Sequence, residues 1–132
     1  MSFLLDTNIC SAYLRRNHLV ANKMIQYGGR LYVSAITAGE LFTWAFRAQA
    51  SPKRLQGLMD LLQDVTLLSI EKDIGRRFGE IRARPLDQGI TIGQMDLLLS
   101  ATALVHDLTL VTHNTADFVN IPGVRLQDWL IP

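Results

Sequence analysis

Short apolar runs alternate with segments of helical periodicity along the whole chain. The runs that suit β-strands end at Leu5, Val33, Ile70 and Val111, and a fifth candidate covers residues 123–126. Parallel strands need crossover connections, and helices between strands supply them. This order predicts an α/β fold, a three-layer α/β/α sandwich with a mostly parallel sheet of four to five strands.

Glycine and proline mark the ends of the expected helices. One helix opens after Thr7, a second covers about residues 37–48, and a third carries Pro52 in its first turn. A fourth begins at Glu71 and is expected to stop before Pro85, and a fifth covers residues 94–106.

Size and composition agree with one domain spanning residues 1–132. The chain is 48% apolar and 19% charged, which is a globular composition. The apolar stretch of residues 97–105 lies between Asp96 and His106 and is far shorter than the ~18 residues that suggest a membrane span. Cys10 has no second cysteine to pair with. We expect a cytoplasmic protein that does not cross a membrane.

The net charge of +1 conceals an uneven distribution along the chain. Residues 1–84 hold 12 of the 13 basic residues but only 7 of the 12 acids. This polarity fits a basic surface beside an acidic pocket, and it also fits ordinary solvated charge.

Four acids are expected at one edge of the sheet. Asp6 ends the first strand, and Asp117 follows the fourth. Glu40 and Asp96 each lie in the first turn of a helix that begins at the carboxyl ends of the strands. Open α/β sheets bind their ligands at this edge.

Each acid alone also has a structural interpretation. Asp6 suits a helix cap, Glu40 suits a capping box with Thr37, Asp96 suits the positive end of a helix dipole, and Asp117 suits a turn. Together, four carboxylates must protonate, disperse or bind a cation. Because the donors are all oxygens, they favour Mg²⁺ or Mn²⁺ over zinc.

Small polar residues beside these acids are candidates to orient the carboxylates or to hold metal-bound water. They are Thr7, Asn8, Thr112, Asn114 and Thr115. Carboxylate-bound Mg²⁺ is typical of phosphate chemistry, so the site predicts phosphodiester hydrolysis.

In these segments the chain resembles the PIN-domain ribonucleases of the VapC toxin group. The matching pieces are residues 4–9, 34–41, 92–101 and 110–118, closed by residues 122–124 and Trp129, in the family's order and spacing. Position 113 is His, where similar proteins commonly have Arg or another polar residue, and the family's last acid varies in position and type.

The resemblance implies that Asp6, Glu40, Asp96 and Asp117 bind Mg²⁺ or Mn²⁺ and cleave RNA. It also implies a toxin that arrests growth, with tRNA among the candidate substrates. The implied partners are a VapB-like antitoxin, whose tail occupies the active-site groove, and a second copy of the chain in a homodimer.

Two surfaces are candidates for contacts with partners. Arg15 and Arg16 lie one helix downstream of Asp6 and suit RNA phosphates. Two strongly apolar helices suit an antitoxin or dimer interface or, alternatively, plain core. Their candidate interface residues are Phe42, Trp44, Phe46, Leu55, Leu58, Met59 and Leu62.

Two other functions compete with the nuclease hypothesis. One is a PIN-like interaction module without catalysis. The other is a different Mg²⁺-dependent phosphoryl-transfer domain. Asn8 stands where a dehalogenase-type phosphatase needs a second Asp, and no Lys follows Lys72 to serve a receiver domain.

Overall fold

A computed structural model describes residues 1–132, and a five-stranded parallel sheet runs through its centre. The strand order is β3-β2-β1-β4-β5. The strands are β1 (Phe3–Leu5), β2 (Leu31–Ser34), β3 (Thr66–Leu68), β4 (Thr109–Val111) and β5 (Leu126–Gln127). The predicted parallel sheet is confirmed, although β3 is shorter than expected and β5 begins later than expected.

Helices cover both faces of the sheet, which confirms the three-layer sandwich. They are α1 (Thr7–Leu14), α2 (His18–Gln26), α3 (Ala35–Phe46), α4 (Pro52–Asp64), α5 (Lys72–Asp87) and α6 (Gln94–His106), with a 3-10 turn at Thr115–Phe118. Successive β1 side chains point to opposite faces. Phe3 and Leu5 join the core under α1–α4, whereas Leu4 joins the core that includes α6.

The last residues of the chain are anchored beside its first strand. The buried Trp129 ring packs edge-on against Phe3 at 5.2 Å and stacks on Tyr27 at 5.8 Å. Its indole Nε1 donates to Gln127 Oε1 at 3.0 Å. These contacts fix the segment after β5 against the sheet.

The helices differ from the sequence predictions at three places. The single helix expected after Thr7 is followed by a second one, α2, which Asn17 caps. Helix α5 does not stop before Pro85 but continues to Asp87. Pro85 has no amide to donate to the carbonyl four residues earlier, but only two helical residues follow it, so the distortion that its ring causes affects little of α5. Helix α3 begins at Ala35 with Ser34 as its N-cap, because the Ser34 hydroxyl accepts from the Ile36 amide, so the predicted capping box at Thr37 is wrong.

The expected apolar interface is largely core. Leu58 is completely buried, so its assignment to an interface is wrong. Four other members, Phe42, Trp44, Leu55 and Leu62, are partly buried against the same core. Phe46 and Met59 remain substantially exposed. A membrane-spanning helix is absent, since none of the helices combines sufficient length with sufficient apolar character.

Candidate active site

Asp6 is the most buried acid of the predicted site. It follows β1 and caps α1, with Oδ1 accepting from the Ile9 amide at 2.9 Å. Its side chain also accepts a hydrogen bond from Thr112. Burial raises the pKa of Asp6, and the nearby charge of Glu40 adds to that effect, while its hydrogen bonds oppose it.

Glu40 reaches the site from the second turn of α3. The prediction of a first-turn position is wrong, because Ser34 starts the helix earlier than expected. One carboxylate oxygen, Oε1, accepts from the Thr7 hydroxyl at 2.5 Å. Thr7 lies in the first turn of α1, directly after Asp6. This hydrogen bond therefore connects α1, which Asp6 caps, with α3, which contains Glu40.

Asp96 lies in the first turn of α6, as predicted. Burial raises its pKa, followed by the charges of Asp117 and Asp6. The carboxylates of Asp6 and Asp96 are therefore close enough to repel each other across the edge of the sheet. Ionising both of them without a cation costs free energy.

A cavity of about 200 Å³ brings most of the predicted residues together. It is lined by Asp6, Thr7, Asn8, Glu40, Met95, Asp96, Leu99, Thr112, Asn114 and Phe118. Lysine and arginine do not line it, so the carboxylates face a pocket without a compensating cation of the protein. We call this cavity the acidic pocket.

Two of the residues that were predicted at this edge of the sheet do not line the acidic pocket. Asp117 and Thr115 both lie in the 3-10 turn after β4. Asp117 is exposed there, and its negative charge raises the pKa of Asp96.

The oxygen donors of the acidic pocket suit a Mg²⁺ or Mn²⁺ ion that keeps several of its waters. They suit an ion held by protein side chains alone less well. No group of three or more His, Cys, Asp or Glu side chains is arranged closely enough to hold a metal ion by itself. Mg²⁺ commonly keeps several waters and binds through only one or two carboxylates. The lining supplies oxygen donors, with amide and hydroxyl groups that can bond to such waters.

A histidine–aspartate pair beside the acidic pocket was missed in the sequence. His113 lies between two lining residues, and its Nδ1 is 2.9 Å from Asp128 Oδ2. Asp128 Oδ1 also accepts from the Leu130 amide at 2.9 Å. Asp128 follows the predicted fifth strand, and an acid at that position is the one sequence signal that could have revealed the pair.

Arg15 and Arg16, the predicted RNA contacts, lie just beyond the end of α1. Both are exposed, and neither forms an ion pair. Arg16 has a left-handed backbone with φ of 64°. Neither residue lines the acidic pocket.

The fold and the acidic pocket together define a class of α/β domains with a carboxylate site at the carboxyl edge of a parallel sheet. The sequence pattern described as PIN domain matches residues 3–124, so the chain belongs to the PIN-domain family.

Similar proteins that carry names include VapC ribonucleases from several bacteria. The chain is 32% identical to ribonuclease VapC1 of Haemophilus influenzae (strain R2866), over 98% of each chain. It is 27% identical to the tRNA(fMet)-specific endonuclease VapC of Shigella flexneri, again over 98% of each. The crystal structure of DNA-bound VapBC from Salmonella typhimurium matches with a TM-score of 0.91 at 27% identity, covering 98% of each chain. The resemblance to the VapC group is confirmed.

Proposed function

We propose that this chain is a divalent-metal-dependent endoribonuclease that acts as the toxin of a toxin–antitoxin pair. Asp6, Glu40 and Asp96 would hold Mg²⁺ or Mn²⁺, and Asp117 would assist through its charge. The observation that carries the proposal is the acidic pocket, where burial and mutual repulsion raise the pKa of both Asp6 and Asp96 without a basic side chain in the lining. A bound cation would offset the free-energy cost of ionising both aspartates at neutral pH.

The residues of the chain have separate tasks in this proposal. A divalent cation at such a site lowers the pKa of an attacking water and neutralises charge that develops on the phosphate. The α1 cap holds Asp6 in place, and Thr7 fixes one oxygen of Glu40. Asn8 and Asn114 present side-chain amides to the same cavity, where they can bond to water or to phosphate oxygens.

Substrate and partner follow from the relatives. We propose a structured cellular RNA as the substrate, with tRNA first among the candidates, because one relative is named a tRNA(fMet)-specific endonuclease. We also propose a VapB-type antitoxin as the partner, because the similar solved structures include VapBC complexes. The proposal further includes a homodimer, one functional domain over residues 1–132 and a cytoplasmic location, where the RNA is found.

The decisive experiment combines an RNA cleavage gel with a growth assay. Purified wild type should cut a tRNA pool with Mg²⁺ or Mn²⁺ and not with excess EDTA, and its expression should arrest growth. Asp96→Asn should abolish both effects. Asp87→Asn removes an exposed acid outside the acidic pocket and serves as the matched control, which should behave as wild type.

Other outcomes would contradict the proposal in distinct ways. Growth arrest that survives Asp96→Asn would favour the interaction module without catalysis. Hydrolysis of small phosphate esters without RNA cleavage would favour a different phosphoryl-transfer domain.

A further inference from the structure

The acidic pocket repels the phosphates of any RNA that approaches it, so the strand must be held by positive charge nearby. The segment from Leu41 to Met59 contains no acid and three basic residues, Arg47, Lys53 and Arg54. None of the three takes part in an ion pair. Their charge is therefore available to an external anion.

Helix geometry relates this segment to the acidic pocket. Arg47 directly follows α3 and is seven residues beyond Glu40. Seven residues make almost two full helical turns, so both positions lie on the same face, about 10 Å apart.

Beside Arg47 the chain forms a second cavity, of about 480 Å³. It is lined by Arg47, Ala48, Gln49, Ala50 and Arg54, and we call it the basic pocket. The backbone amides of Ala48 and Gln49 make no hydrogen bond within the chain. The residues of the lining carry two guanidinium groups and two free backbone amides, and donors of this kind suit a phosphate.

Arg54 is held in place on one side of the basic pocket. Its guanidinium carbon lies 5.0 Å from the centre of the Trp44 ring, and one terminal nitrogen donates to the Trp44 carbonyl at 3.4 Å. These contacts use one face and one N–H group, so the remaining donors are left for a ligand. An arginine already fixed on an aromatic ring loses less rotamer freedom on binding.

An exposed aromatic side chain completes the surface. Phe46 is 67% exposed, and its ring stacks on Phe42 with centroids 5.8 Å apart and an interplanar angle of 14°. Exposed aromatic rings next to arginines are the usual platform for unpaired RNA bases.

We propose that the basic pocket binds an RNA phosphate close to the bond that is cut, while Phe46 stacks an unpaired base beside it. This inference rests on the proposed ribonuclease function and deepens it, since it makes the recognised substrate a single-stranded or loop segment. RNA fits better than a protein partner because the cavity is lined by two arginines, a glutamine and two alanines and by no large apolar side chain. Most of the neighbouring apolar residues are packed into the core.

The test measures the affinity for a fluorescently labelled single-stranded RNA by anisotropy, using full-length protein that carries Asp96→Asn to prevent cleavage. The double variant Arg47→Ala/Arg54→Ala should raise Kd at least tenfold at low salt. Losing the one phosphate contact should also reduce the slope of log Kd against log salt by about 0.7. Arg47→Lys should keep the wild-type slope because the charge is retained.

Stacking and charge can be separated in the same assay. Phe46→Ala should raise Kd about tenfold without changing the salt slope. Arg30→Ala is the control, because Arg30 precedes β2 at the opposite edge of the sheet and is also an exposed arginine. It should leave both Kd and slope unchanged. Melting temperatures of all variants show whether each one is folded.

An unchanged Kd and slope in the folded double variant would overturn the inference. If that variant instead altered sedimentation while binding RNA normally, the surface would be an interface between copies and the inference would again be wrong. Cleavage by the protein with an intact Asp96 is scored separately: no cleavage together with the expected loss of affinity would refute the proposed function alone.

Discussion

Replacing Asp6 by Asn should stabilise the folded protein in metal-free buffer at neutral pH. The Asp6 side chain is only 7% exposed, burial raises its pKa, and the charge of Glu40 raises it further. Asparagine is nearly the same size and keeps an oxygen that can accept from the Ile9 amide. The substitution therefore removes the charge and retains the helix cap.

The pH dependence of this effect has a definite sign. Because the folded-state pKa of Asp6 lies above its ordinary value of 3.8, the folded state binds the proton more tightly than the unfolded state does. Ionised Asp6 consequently lowers the free energy of unfolding at neutral pH, and that cost disappears as the pH falls through the folded-state pKa. The advantage of Asp6→Asn should be largest at neutral pH and should vanish below 3.8, where Asp6 is protonated in both states.

Asp6→Ala provides the matched comparison, because it removes both the charge and the cap. Loss of an N-cap costs about 1 kcal/mol, which corresponds to about 4 °C in Tm for a domain of this size. Thermal unfolding followed by circular dichroism in EDTA, over an acid-to-neutral pH series, should rank Asp6→Asn above both wild type and Asp6→Ala. A lower Tm for Asp6→Asn than for wild type at neutral pH, or a difference that does not change with pH, would refute the reasoning.

Three further predictions concern single side chains. Thr7→Val removes the hydrogen bond to Glu40 and should slow RNA cleavage about tenfold with little change in Tm, whereas Thr7→Ser should restore the rate. Leu58→Ala should lower the free energy of unfolding in urea by about 2–5 kcal/mol, and Met59→Ala, one position along, by no more than about 0.5 kcal/mol. Burial raises the pKa of the Cys10 thiol, so iodoacetamide should label it only after unfolding, as judged by mass spectrometry.

The acidic pocket was predictable because topology determines most of it. Strand and helix periodicity places the residue after β1 and the first turn of α6 at one edge of a parallel sheet, whatever the details of packing. Asp6 and Asp96 follow from that argument alone. Glu40 also lines the pocket, although its helix begins two residues earlier than the expected start, because Ser34 provides a better cap than Thr37.

Features that depend on contacts between distant segments could not be predicted in the same way. The His113–Asp128 pair requires the segment after β5 to pack beside the β4 loop, and no local periodicity encodes that approach. The burial of Leu58 depends on which face of α4 meets the core. Pro85 is compatible with a helix there only because it lies in the last turn of α5, a boundary set by Gly89 and the loop beyond it.

The position of β1 in the centre of the sheet has a consequence for synthesis on the ribosome. One neighbour, β2, follows after about thirty residues, but the other, β4, pairs Phe3 with Thr109 and follows only after about a hundred residues. Until β4 has been made, one edge of β1 is unpaired and Asp6 lacks the hydrogen bond from Thr112. The sheet beside Asp96 is also incomplete at that stage. A nascent chain therefore carries its acids without an assembled acidic pocket until both neighbours of β1 have been made.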